Sequence, residues 1–168
     1  AGRDCRWMCQ PCRPPRGLAF DAASDHPHTV KLTREELVEK FRPVLHLLVS
    51  DREYVIPTEE WLYETFLPWW DDVAVSLRLQ YGAAADCDDF ALGCWFFARR
   101  CAAGLHDATS DTSVPIGFCI YKTRAGTTHA INVAVVGEDK RTVFIEPQTA
   151  KSTVLTREER ESISWVLF

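Results

Sequence analysis

The feature that most constrains this 168-residue chain is a change of hydrophobic period in its second half. From Cys87 to Ala103 the apolar residues recur at helical spacing, and Gly104 stands where a helix C-terminus favours glycine. Beyond the polar stretch 106–113 the period becomes two. Pro115–Tyr121, Thr128–Val136 and Thr142–Glu146 read as strands, the last two joined by the hairpin residues Gly137-Glu138-Asp139-Lys140. Upstream, Thr33 with Glu36 forms a capping box, with Leu32 and Leu37 placed to staple it. Leu37, Phe41, Val44, Leu45 and Leu48 continue that helix over 34–49, bent at Pro43. A second helix starts at Pro57-Thr58 and stops at Pro68, and a third runs from Trp70 to Gln80. A second capping box, Thr156 with Glu159, opens a short helix before a final strand in Ile163–Phe168. Helices first and an antiparallel sheet after define an α+β domain over 31–168. Residues 1–30 form a separate, Cys-rich arm with little apolar material.

Composition narrows the class. Apolar residues make up 46% and charged residues 26%, enough to build a core, which excludes disorder, collagen and coiled coil. No apolar run nears the roughly 18 residues that span a bilayer, so no membrane association is expected. A net charge of −5 argues against nucleic acid as a partner. Seven cysteines are an odd number, and a chain of this size does not need disulfides. Thiols in a reducing compartment fit better, and with no apolar signal stretch at the start a cytoplasmic location is expected.

Three segments carry candidate chemistry: Asp86-Cys87-Asp88-Asp89-Phe90-Ala91, Thr128-His129-Ala130-Ile131-Asn132-Val133 and Phe144-Ile145-Glu146-Pro147-Gln148. Cys87 opens the long helix with Asp86 as its N-cap, and the positive end of the helix dipole favours thiolate there. Asp86, Asp88 and Asp89 oppose it, so activation needs a cationic partner, for which His129 is the natural choice. Strand alternation places His129 with Ile131, Val133 and Val135 on the face expected to meet the helix. If Val136 pairs with Arg141, His129 lies opposite Gln148 and Glu146 lies on the same face, diagonal to His129. Nucleophile, base and orienting carboxylate follow triad logic. Cys94, Cys101 and Cys119 read as core thiols, and Trp61, Trp69, Trp70, Trp95 and Trp165 as core or pocket walls.

Those segments resemble the transglutaminase-like cysteine proteinase superfamily. The stretch Asp86–Ala91 is similar to the bacterial transglutaminase-like cysteine peptidases, over about residues 61–149. The resemblance implies a papain-like core, with Cys87 as nucleophile on a central helix against an antiparallel sheet and His129 as base. The third member, usually Asp in that family, falls at Glu146, with Gln148 or Asn132 as substitutes. Gln80 or Tyr81, shortly before Cys87, stands where papain-like enzymes keep an oxyanion donor, beside the Cys87 backbone N–H. The expected activity is a cysteine peptidase or amidase: a thiol-dependent hydrolase or acyltransferase acting on a peptide or amide bond of a peptide or protein substrate, without a cofactor.

The arm holds a separate expectation. Cys5-x3-Cys9-x2-Cys12 is compact enough for a soft metal, with His26 or His28 as fourth ligand to zinc. The same spacing matches the three-cysteine motif of a 4Fe–4S cluster, which three thiolates and one further ligand suffice to hold. The alternative function is therefore a non-catalytic binding or assembly module of the same fold carrying a metal or cluster on its arm. A metal held by Asp86, Asp88, Asp89, His129 and Glu146 is disfavoured, because consecutive carboxylates at a helix start diverge. Oligomeric state is not encoded in any of these features.

Overall fold

The computed structural model describes residues 30–168 apart from 78, 81, 83, 84 and 104–111; side chains 101–103 and 112 are also left undescribed. The order is β1 (Lys31–Thr33), α1 (Arg34–Lys40), β2 (His46–Leu48), β3 (Glu53–Val55), a π-helical segment Trp61–Phe66, α2 (Leu67–Ser76), α3 (Cys87–Ala103), β4 (Thr112–Ser113), β5 (Ile116–Lys122), β6 (Thr128–Val136), β7 (Arg141–Glu146), β8 (Lys151–Thr153), α4 (Arg157–Glu161) and β9 (Trp165–Leu167). Six strands form a sheet in the order β2-β9-β5-β6-β7-β8, and β1, β3 and β4 form a smaller one.

Local signals hold where residues close in the chain carry strong chemistry. Both capping boxes form: Thr33 and Glu36 exchange side-chain and backbone bonds, as do Thr156 and Glu159. Strand β6 has the expected bounds, and the β6–β7 ladder runs from Val136↔Arg141 to Asn132↔Ile145, the register expected from the hairpin. Gly137 and Lys140 at its turn have φ of 72° and 54°, the left-handed values that such a connection needs.

The expected fold class is corrected. The half of the chain read as helices only contains β1, β2 and β3, and the larger sheet is mixed, because β2 lies parallel to β9 while its other neighbours are antiparallel. This is not a stack of N-terminal helices on an antiparallel papain-like or transglutaminase-like sheet. The first helix stops at Lys40, and its expected continuation becomes β2, whose Leu47 pairs with Val166. Pro68 does not end a helix: it lies at the start of α2, where a missing N–H costs nothing.

Strand β6 lies mid-sheet and is buried on both faces. Helix α3 covers the Ala130–Asn132–Ala134 face: Cys87, Ala91 and Trp95 pack with Phe118 and Ala130. Asn132 Nδ2 donates to Ala91 O at 2.8 Å and to Gly117 O at 3.1 Å. Ile131, Val133 and Val135 face the other way, packing with Leu32, Leu37, Phe41, Tyr54 and Phe168. His129 belongs to that second face, so the expectation that its face meets the helix is also corrected.

Candidate functional site

Asp86 caps α3. Its Oδ1 accepts from Asp88 N, Asp89 Oδ2 accepts from Asp86 N, and Phe90 N donates to Asp86 O, the first bond of the helix. Cys87 is thus the first residue inside the helix, half-buried and free of any disulfide. Four backbone N–H groups at such a terminus favour a thiolate, while adjacent carboxylates oppose it. Asp86 and Asp88 interact directly: a side-chain hydrogen bond between them lowers the pKa of Asp86 and raises that of Asp88. Ligand atoms of Asp86, Cys87 and Asp88 lie within 4.8 Å of one another. His129 and Glu146 are not part of that group, and the grouping is no evidence of a bound metal.

Across the sheet end, His129 Nε2 and Glu146 Oε2 are 2.8 Å apart, with side chains 22% and 24% exposed. A carboxylate accepts only, so Nε2 carries a proton toward Glu146, and Nδ1 has no partner among the described residues. The other carboxylate oxygen, Oε1, accepts from Gln148 N at 3.4 Å. Glu146 is therefore held at both oxygens, one by the ring and one by the turn that follows β7.

Tyr121 lies beside the His129–Glu146 pair. It pairs with His129 across β5 and β6, and the two rings lie edge to face at 5.8 Å. Its hydroxyl pKa is raised, first by burial, then by the charges of Glu159, Glu146, Cys119 and Cys87. Cys87, meanwhile, packs against the cluster of Ala91, Phe118 and Ala130. Tyr121 and His129 thus share one sheet face while Cys87 packs on the other, at the start of α3, and no hydrogen bond joins Cys87 Sγ to His129 among the described residues. Sequence reasoning missed Tyr121; its place in the register opposite His129 was the available signal.

The remaining candidates separate. Gln80 is exposed and makes no side-chain hydrogen bond among the described residues. Asn132 spends its Nδ2 on tying α3 to β5. The Gln148 side-chain amide nitrogen is buried without a hydrogen-bond partner among the described residues. Cys94 and Cys119 are buried, and burial pushes the Cys119 thiol up to about 12. Tyr81, Cys5, Cys9, Cys12, His26 and His28 lie outside the described residues, as does the side chain of Cys101.

No family model and no curated protein matches the chain. Among solved structures, its fold matches one described as a PSL1a–E64 complex, with TM-score 0.63 and 17% identity over 82% of this chain and 51% of that one. It also matches Polyporus squamosus lectin bound to the human-type influenza-binding epitope Neu5Aca2-6Galb1-4GlcNAc, with TM-score 0.61 and 16% identity over 82% of this chain and 49% of that one. The chain spans about half the length of each. At these identities the likeness concerns the fold alone.

These matches correct the expected kinship. Neither structure is described as a transglutaminase-like peptidase, and neither description names a peptide or protein substrate. The reading as a hydrolase or thiol protease gives way to a fold shared with these structures, one of them a lectin, while the zinc or iron–sulfur expectation finds no support in the matches and falls on residues outside the described ones. No described helix is long and apolar enough to cross a membrane.

Proposed function

We propose that this domain is a ligand-binding module that takes its ligand at Cys87, His129 and Glu146, with the thiol as anchor. The observation that carries this is the His129–Glu146 bond at 2.8 Å, which commits Nε2 and leaves Nδ1 to accept a proton, with the half-buried Cys87 thiol at the start of α3 as the nucleophile. In capture of an electrophile, Nδ1 takes the thiol proton and sulfur forms a bond to carbon. The departing group keeps the electron pair of the bond that breaks. A stable adduct is binding, not turnover.

E64, named with one of the matched structures, is the first probe. It should raise the melting temperature of the whole chain, and Cys87→Ala should abolish the shift. A shift that survives Cys87→Ala, or no shift in the parent chain, would overturn the reading.

A glycan ligand is the second reading, favoured by one surface observation. Trp165 is exposed at 45% and its ring lies 4.7 Å from that of His46, tilted by 31°, an amphipathic platform on strands β9 and β2. The trisaccharide named with the matched lectin tests it. Saturable binding that Trp165→Ala removes would support this reading, and absence of binding would end it.

A further inference from the structure

Trp70, on α2, is among the largest fully buried side chains of the described residues. Its burial alone would make it a core residue, yet its indole N–H donates to the carbonyl of Pro147 at 2.7 Å. Pro147 follows Glu146 directly, within the turn that holds the site's carboxylate. That turn is closed by Thr149 N donating to Glu146 O at 3.2 Å, and Gln148 N reaches Glu146 Oε1. Ala150 ends it with φ of 50°, a left-handed conformation that a residue with a Cβ keeps only where its surroundings impose it.

The opposite edge of the same indole rests on α3. A Cβ added at Gly93 would meet Trp70 Cη2 at 3.0 Å, and the Phe97 ring lies 6.0 Å from the Trp70 ring. Gly93 and Phe97 belong to the helix that begins at Cys87. One rigid bicycle therefore spans from the thiol-bearing helix to the carboxylate-bearing turn.

We propose that Trp70 is a positioning residue, a strut that sets the spacing between the Cys87 helix and the Glu146 turn. This rests on the reading of Cys87, His129 and Glu146 as one site. The strut acts through two contacts of different kinds. Van der Waals contact with Gly93 fixes where the ring sits on α3, and the N–H bond fixes where Pro147, and so Glu146, sits relative to the ring.

Trp70→Phe removes the donor and keeps most of the apolar volume. Trp69→Phe is the comparator: its ring packs in the same cluster against Phe66 and Phe97, but makes no bond to the turn. Two readouts are taken on the whole chain. One is the downfield proton resonance of the His129–Glu146 hydrogen bond; the other is the rate of iodoacetamide labelling at Cys87, located by fragmentation mass spectrometry.

The strut predicts that Trp70→Phe shifts or loses the resonance and slows labelling by about tenfold, less than the roughly hundredfold that a 1 Å misplacement can cost. Trp69→Phe should leave both unchanged even if it lowers thermal stability as much. Equal effects of the two variants, or no effect of Trp70→Phe on either readout, would overturn the strut. If Trp70→Phe does not fold, Trp70→benzothienylalanine keeps the bicycle and replaces N–H by sulfur, and the same outcomes decide. His129→Ala separates the two levels. Labelling indifferent to His129→Ala sinks the site reading, while the resonance comparison still decides whether Trp70 holds the turn.

Discussion

Replacing Asn132 by alanine removes the polar link between α3 and the sheet. The side chain is fully buried, and its Nδ2 makes two bonds, one to a helix carbonyl and one to a strand carbonyl. Losing both costs about 2 kcal/mol at about 1 kcal/mol net each. The three missing heavy atoms leave a void that the packed surroundings fill only in part, for a further cost of about 1–2 kcal/mol. One effect opposes these. Asn132 Oδ1 is buried without a hydrogen-bond partner among the described residues, so its removal returns about 1 kcal/mol of desolvation. The losses win, and Asn132→Ala should be less stable by about 2–3 kcal/mol. Urea unfolding followed by fluorescence measures this directly: the midpoint should fall with the slope unchanged. In a thermal scan the same loss should appear as roughly 4–12 °C, given about 2–4 °C per kcal/mol for a chain of this size. A loss below about 0.5 kcal/mol would refute the reasoning, because it would mean that the two bonds and the packing together contribute almost nothing.

Other outcomes follow from single contacts. Gly117→Ala would set a Cβ 2.6 Å from the Leu167 backbone oxygen, which cannot swing aside, so β9 must shift and stability should fall by about 1–3 kcal/mol; an unchanged melting temperature would contradict it. Glu36 has its pKa lowered by its bond to Lys140 and by the Thr33 N–H. A carboxyl held low contributes stability above its unfolded-state pKa and loses it as pH falls through the folded value. Glu36→Gln should therefore flatten the acid limb of the stability profile, and an unaltered limb would count against the contact. Cys119, with its thiol at about 12, should resist iodoacetamide at pH 8 in the folded chain and react once urea unfolds it.

The elements legible in the sequence were those specified by neighbours in the chain. Thr33–Glu36 and Thr156–Glu159 cap helices through residues three apart, and the Gly137–Lys140 turn sets the β6–β7 register by its length. That register is also what placed Glu146 on the His129 face, where the two side chains bond. What escaped depends on distant partners. Leu45 and Leu48 mimic a helix stripe, but His46–Leu48 is an edge strand recruited by Trp165–Leu167, nearly the whole domain away. The face that α3 would cover could not be read either. Ala130, Ala134 and Val136 on one side of β6 are as apolar as Ile131, Val133 and Val135 on the other, since both faces are buried. Asn132 was the discriminating residue. A fully buried amide needs partners, and α3 supplies one of them.

The account stands most directly on whether Cys87 and the His129–Glu146 pair act together. The measurement is the rate of iodoacetamide labelling at Cys87 in the intact chain, compared with His129→Ala and Glu146→Gln, each adduct located by fragmentation mass spectrometry. The site predicts that His129→Ala slows labelling at neutral pH by about tenfold or more, with Glu146→Gln between it and the parent chain. A Cys87 rate that neither substitution changes would contradict the account.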